Sequence, residues 1–99
     1  SEQLAYQYRS AATQLSAIPD QVQAGLPDSS VGTVVRRIFD ELISYEPSPQ
    51  LRALLAERAQ QLTGATPVTS DAIHAAAQAL NHVGQNYEDQ GRRLRGLWS

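Results

Sequence analysis

The 99-residue sequence contains no cysteine, no methionine and no lysine, so all eight basic residues are arginines. Without cysteine, disulfide staples, thiolate catalysis and thiolate metal ligation are excluded, and cysteine usage says nothing about the compartment. Aromatic residues make up only 6% of the chain, too few for an aromatic-lined enzyme pocket but ordinary for a small helical bundle. No apolar run approaches the roughly 18 to 20 residues that span a bilayer. The formal charge of -2 lacks the basic excess that phosphate binding needs, which argues against nucleic acid as the main partner. The opening stretch, Ser1 to Arg9, has no basic segment leading into an apolar one, so no ordinary cleaved signal peptide is expected.

What the sequence does carry is helical periodicity. Leu4, Tyr8, Ala11, Leu15, Ile18 and Val22 alternate spacings of four and three, which makes one apolar seam on a first helix. Pro19 lies within that seam and lacks a backbone donor, so a kink or break is expected near Ile18. Gly25 and Pro27 end the segment. Asp28, Ser29 and Ser30 offer N-caps for a second helix. Its seam is Val31, Val35, Ile38, Leu42 and Tyr45, widened by Val34 and Phe39. Glu46-Pro47-Ser48-Pro49 stops it, and Ser48-Pro49 is a start signal for a third helix. That helix turns Leu51, Leu54, Leu55, Ala59 and Leu62 inward and closes at Gly64.

The loop from Thr66 to Asp71 offers Thr69 or Ser70 as the next cap. In the last segment Ile73, Leu80, Tyr87 and Leu94 recur every seven residues, with Ala76, Val83 and Leu97 three positions later. Ala75, Ala76, Ala77 and Ala79 thin one end for close approach of another helix. No stretch alternates with period two. The expectation is one all-α domain over 1–99, an antiparallel helical hairpin or bundle. Two long terminal helices would flank two shorter ones.

No catalytic set assembles. His74 and His82 stand eight residues apart on the last helix, about 12 Å, too far to share a metal. Glu88 and Asp89 are adjacent and diverge on a helix, and the Ser and Thr pairs read as caps. The chain is therefore read as a non-enzyme with no catalytic, metal or cofactor residue and no small-molecule substrate. Helices two and three resemble a helix-turn-helix, but only Arg52 and Arg58 on the third could read DNA, beside Glu57. At the C-terminus Arg92, Arg93 and Arg95 accompany Leu97 and Trp98. Two readings stand side by side: compensation of the helix dipole, or an exposed docking tail built from interface-forming residue types.

The last helix also carries a family likeness. Ala-Ala-Ala-Gln-Ala-Leu-Asn-His-Val-Gly-Gln-Asn-Tyr-Glu-Asp-Gln-Gly, residues 75–91, resembles the final helix of small actinobacterial type VII secretion substrates, the WxG-motif and EspC-like families. Val31 to Ile43, with Phe39, is similar to the middle helix of the EspC-like branch. The resemblance implies that Tyr87 occupies the tyrosine of a Y-x-x-x-acid secretion signal, with Gly91 standing where the family has the acid. No W-x-G turn is present, and the third helix departs from a plain hairpin. The implied protein acts by helix–helix association, as a homodimer or with a paired relative, and meets the secretion machinery. It would be secreted without a cleaved signal peptide. The surfaces expected to pack are Leu4, Tyr8, Leu15, Ile18, Val22, Ile73, Leu80, Val83 and Leu94. The alternative is a small cytoplasmic interaction module or regulator of bacterial or phage origin, in its sharpest form a DNA-binding dimer.

Overall fold

Each helix begins and ends where local chemistry allows it. The computed structural model describes residues 2–64 and 68–98, with backbone alone for 97 and 98. α1 runs Glu2–Gln23, α2 Asp28–Tyr45, α3 Pro49–Gly64 and α4 Ser70–Trp98. The described residues contain no strand. The chain is all-α, as its periodicity predicts, and the helices pack as a bundle.

α1 continues through Pro19 to Gln23 and does not break at Ile18. Proline costs the helix one internal bond. Here it lies only four residues from the C-terminus, and burial of Ile18 and Val22 holds that last turn. The turn closes on Gly25, whose φ of 120° only glycine adopts without strain. Gly25 N–H bonds the Val22 carbonyl and Leu26 N–H the Gln21 carbonyl, the paired pattern of a Schellman cap. α2 starts one residue earlier than a side-chain cap would place it. Pro27 is the N-cap, no side chain caps the end, and Asp28 sits in the positively polarised first turn. Ser48 does cap α3, its Oγ accepting from Leu51 N–H at 3.3 Å, and Thr69 caps α4, accepting from Ala72 N–H at 3.1 Å. Residues 65–67 of the preceding loop lie outside the described residues.

α1 and α4 form the main pair. They run antiparallel, with Arg9 bonded to Gln85 and Glu88, and Arg95 to Glu2. Gly84 lets the two backbones approach. A Cβ there would stand 3.3 Å from the Ala5 carbonyl oxygen, Tyr8 Cβ and Arg9 Cγ. α2 lies against α1 and pairs with α3, where Arg36 of α2 reaches Thr63 of α3. The shared core gathers Tyr8, Leu15 and Ile18 of α1, Val35, Phe39 and Leu42 of α2, and Leu55 and Leu62 of α3. Ile73, Ala76, Ala77 and Leu80 of α4 complete it.

Three seam positions depart from expectation. Tyr45, Leu54 and Leu94 are exposed, Leu54 at 59% and Leu94 at 56%. α4 is 29 residues long against 22 for α1. The α2–α3 corner lies level with Tyr87, so beyond it α4 runs beside the start of α1, where Arg95 meets Glu2, and Leu94 stays exposed. Leu54 projects from α3 on the side facing α4, where the two helices scarcely meet.

Candidate functional site

The polar centre of the molecule is Glu46, the residue between α2 and α3, with none of its surface exposed. The α2–α3 corner places it there. Its N–H still bonds back to the Leu42 and Ile43 carbonyls, while Pro47 and Ser48 turn the chain into α3. Tyr8 donates its hydroxyl to Glu46 Oε1 at 2.6 Å. Tyr87 donates to both carboxyl oxygens, at 2.9 and 3.0 Å. Ser48 N–H donates to Oε2 at 3.0 Å, and Arg52 Nε donates to the Glu46 carbonyl at 2.6 Å. The Tyr8 and Tyr87 rings pack 5.6 Å apart, tilted by 38°. One carboxylate thus joins the start of α1, the α2–α3 corner and the middle of α4. Among the described residues no buried side-chain nitrogen or oxygen lacks a partner.

The surroundings hold both phenols in their neutral form. Burial, then the hydrogen bond to Glu46 and that carboxylate's charge, pushes Tyr87 up to about 12. The same causes, with Tyr87 as a further neighbour, raise Tyr8 beyond that. Two phenols that keep their protons beside a fully buried carboxylate form a structural tie between helices.

Beside the tie lies an open apolar groove between α3 and α4, with a cavity of about 290 Å³. Tyr8 and Phe39 reach it from the core. Leu51, Leu54 and Leu55 form one wall and Ala76, Ala79, Leu80 and Val83 the other, with Glu57, Arg58 and Gln61 at the rim. The low wall on α4 is the alanine run that the sequence singled out for close helix approach. Within this chain only Ala76 and Ala77 of that run are buried, and Ala79 is left half-covered.

The residues expected to pack sort cleanly. Leu4, Tyr8, Leu15, Ile18, Ile73 and Leu80 are buried, Val22 and Val83 are partly buried against the core, and Leu94 is not packed. Tyr87 is half-buried in the Glu46 tie, and Gly91 is half-buried one turn further along α4. Of the arginine tail, Arg92 pairs with Glu88 and Asp89, and Arg95 pairs with Glu2, which ties the end of α4 to the body. Arg93 is exposed, while the Leu97 and Trp98 side chains lie outside the described residues. His74 and His82 are both exposed, and no group of three metal-ligating side chains forms among the described residues. Among the described residues no helix is long and apolar enough to cross a membrane.

In the sequence Glu46 stands out only as part of the Glu46-Pro47-Ser48-Pro49 helix stop. The available signal was indirect. Tyr8 and Tyr87 both occupy core-facing positions, and a buried phenol needs a hydrogen-bond acceptor. Neither seam contains one. No family model, curated protein or solved structure matches the chain.

Proposed function

We propose that this chain is a non-enzymatic helical protein that acts by associating with another protein, in the manner of a type VII secretion substrate. The observation that carries the reading is the apolar groove between α3 and α4, flanked by the exposed Leu54. The groove is a preformed apolar concavity of the kind that a partner's side chains fill. Support for the secretion class comes from the long first and last helices, paired antiparallel. Tyr87 is committed to Glu46. A receptor reading the folded protein would therefore meet the turn after Gly91, with Arg92, Arg93, Leu94 and Arg95, more readily than the Tyr87 ring. The ion pairs of Arg9, Arg92 and Arg95 weigh against a phosphate-binding role, because acidic side chains already offset those cations.

The test is export through a type VII apparatus. The full chain is compared with a chain ended at Gly91, which keeps the Glu46 tie and so the fold. Export of the full chain with retention of the shortened one is expected. Export of both, or of neither, overturns the secretion assignment.

A further inference from the structure

We propose that the groove between α3 and α4 is a binding site for a free medium-chain fatty acid, its apolar chain in the trough and its carboxylate at Arg58. The inference goes beyond the association reading and does not rest on it: a ligand and a partner's side chain would occupy the same hollow in turn. α3 and α4 scarcely meet, so the trough between them reaches down to Tyr8 and Phe39 of the core. The Tyr8 hydroxyl is taken by Glu46. Leu51, Leu55, Ala79, Leu80 and Val83 supply carbon alone, so no side chain in the depth of the trough offers a polar group a partner. The cavity of about 290 Å³ is about twice the roughly 150 Å³ of an apolar cavity that holds benzene, which corresponds to about twelve non-hydrogen atoms. Decanoate is of that size. Leu54, exposed in the free chain, borders the trough and would be covered by the bound chain.

Charge selects the head group. Arg58 follows Leu51 by seven residues, Leu54 by four and Leu55 by three, so it shares one stripe of α3 with those leucines. Glu57, the one acidic residue at the rim, lies about 100° further round the helix, at the outer margin. α4 lines the trough with alanine, leucine and valine and brings no charge to it. Arg9, Arg92 and Arg95 are each paired with a carboxylate. Arg58 has no ionic or hydrogen-bonded partner among the described residues. A guanidinium left free beside an apolar trough offers its planar fork to a carboxylate, and Gln61, three residues on, adds an amide donor. A cationic head would meet Arg58 as a like charge.

Isothermal titration calorimetry of the full chain with sodium decanoate, kept below the concentration at which it forms micelles, tests the site. Saturable binding of one molecule per chain is expected. Shorter acids should bind about fourfold more weakly for each methylene removed, because each one leaves the trough unfilled. 1-Decanol should bind about three- to fivefold more weakly than decanoate, the worth of a solvent-exposed ion pair, and decylammonium more weakly still. Arg58→Gln should remove the advantage of decanoate over decanol and leave decanol binding unchanged. Ala79→Phe fills the trough and should abolish binding of both, with circular dichroism unchanged. Absence of saturable decanoate binding overturns the inference. A preference for decanoate that survives Arg58→Gln also overturns it, as does undiminished binding by a folded Ala79→Phe chain.

Discussion

Glu46 has no exposed surface and its carboxylate forms no salt bridge among the described residues, yet three donors meet its two oxygens. Removing such an acceptor strands the donors, and each buried unsatisfied group costs about 1 to 3 kcal/mol. Glu46→Ala should therefore lose about 3 kcal/mol or more in denaturant unfolding. Glu46→Gln, which keeps the shape and one acceptor oxygen, should lose roughly half as much. Tyr87→Phe should lose about 1 to 2 kcal/mol, because its hydroxyl is only partly buried and water can replace part of the bond.

The same phenols set an alkaline limit. Tyr8 and Tyr87 ionise at higher pH in the folded chain than the ordinary phenol value of 10.0. Above pH 10 the unfolded chain therefore holds fewer protons than the folded one, and stability falls as pH rises. Their contribution is complete below pH 10 and declines toward the value of about 12 reached by Tyr87. Tyrosinate absorbance should show a delayed phase coincident with the loss of helical circular dichroism. A variant with both tyrosines replaced by phenylalanine should lack that phase.

At the scale of elements, α4 does two jobs along its length. Its first half supplies core, through Ile73, Ala76, Ala77 and Leu80, while its last turns run beside the start of α1 and leave Leu94 exposed. Leu80→Asp places an unpaired charge in that core and should abolish cooperative folding. Leu94→Gln, at an equivalent heptad position, should change the thermal midpoint little, because Leu94 is exposed. Equal loss in the two variants would show that the stripe is buried throughout. Gly84 marks the point where α1 crosses α4. Alanine there would gain about 1 kcal/mol of helix propensity but press on the Ala5 carbonyl. Valine cannot be accommodated without separating the helices, and Gly84→Val should lower stability by about 2 to 3 kcal/mol in thermal unfolding.

For the whole molecule, the extents of 50 × 26 × 18 Å describe an elongated bundle in which coverage is uneven. α1 and α4 support each other along their length, whereas α3 leans on α2 and leaves the groove on its other side. Protection from local opening follows buried contact. Amides of α3 should therefore exchange faster than those of central α1. Equal protection would mean that α3 is held as firmly as the central pair.

Much of this was legible from spacing alone. The four helices, the Gly25 turn, the caps at Ser48 and Thr69 and most core residues follow from short-range chemistry, because helix periodicity and capping act within a few residues. Of the kink or break expected near Ile18, the break does not occur, because burial on both sides of Pro19 holds the helix together. The inward assignment of Tyr45, Leu54 and Leu94 failed because an apolar face is necessary for packing but does not supply a neighbour. Sequence by itself determined an all-helical chain and which face of each helix is apolar. Only the tertiary structure decided which stretches of those faces are covered, and that Glu46 is the acceptor shared by Tyr8 and Tyr87. Those contacts join residues 38 and 41 positions apart. They depend on how long helices of unequal length align, which no local pattern encodes.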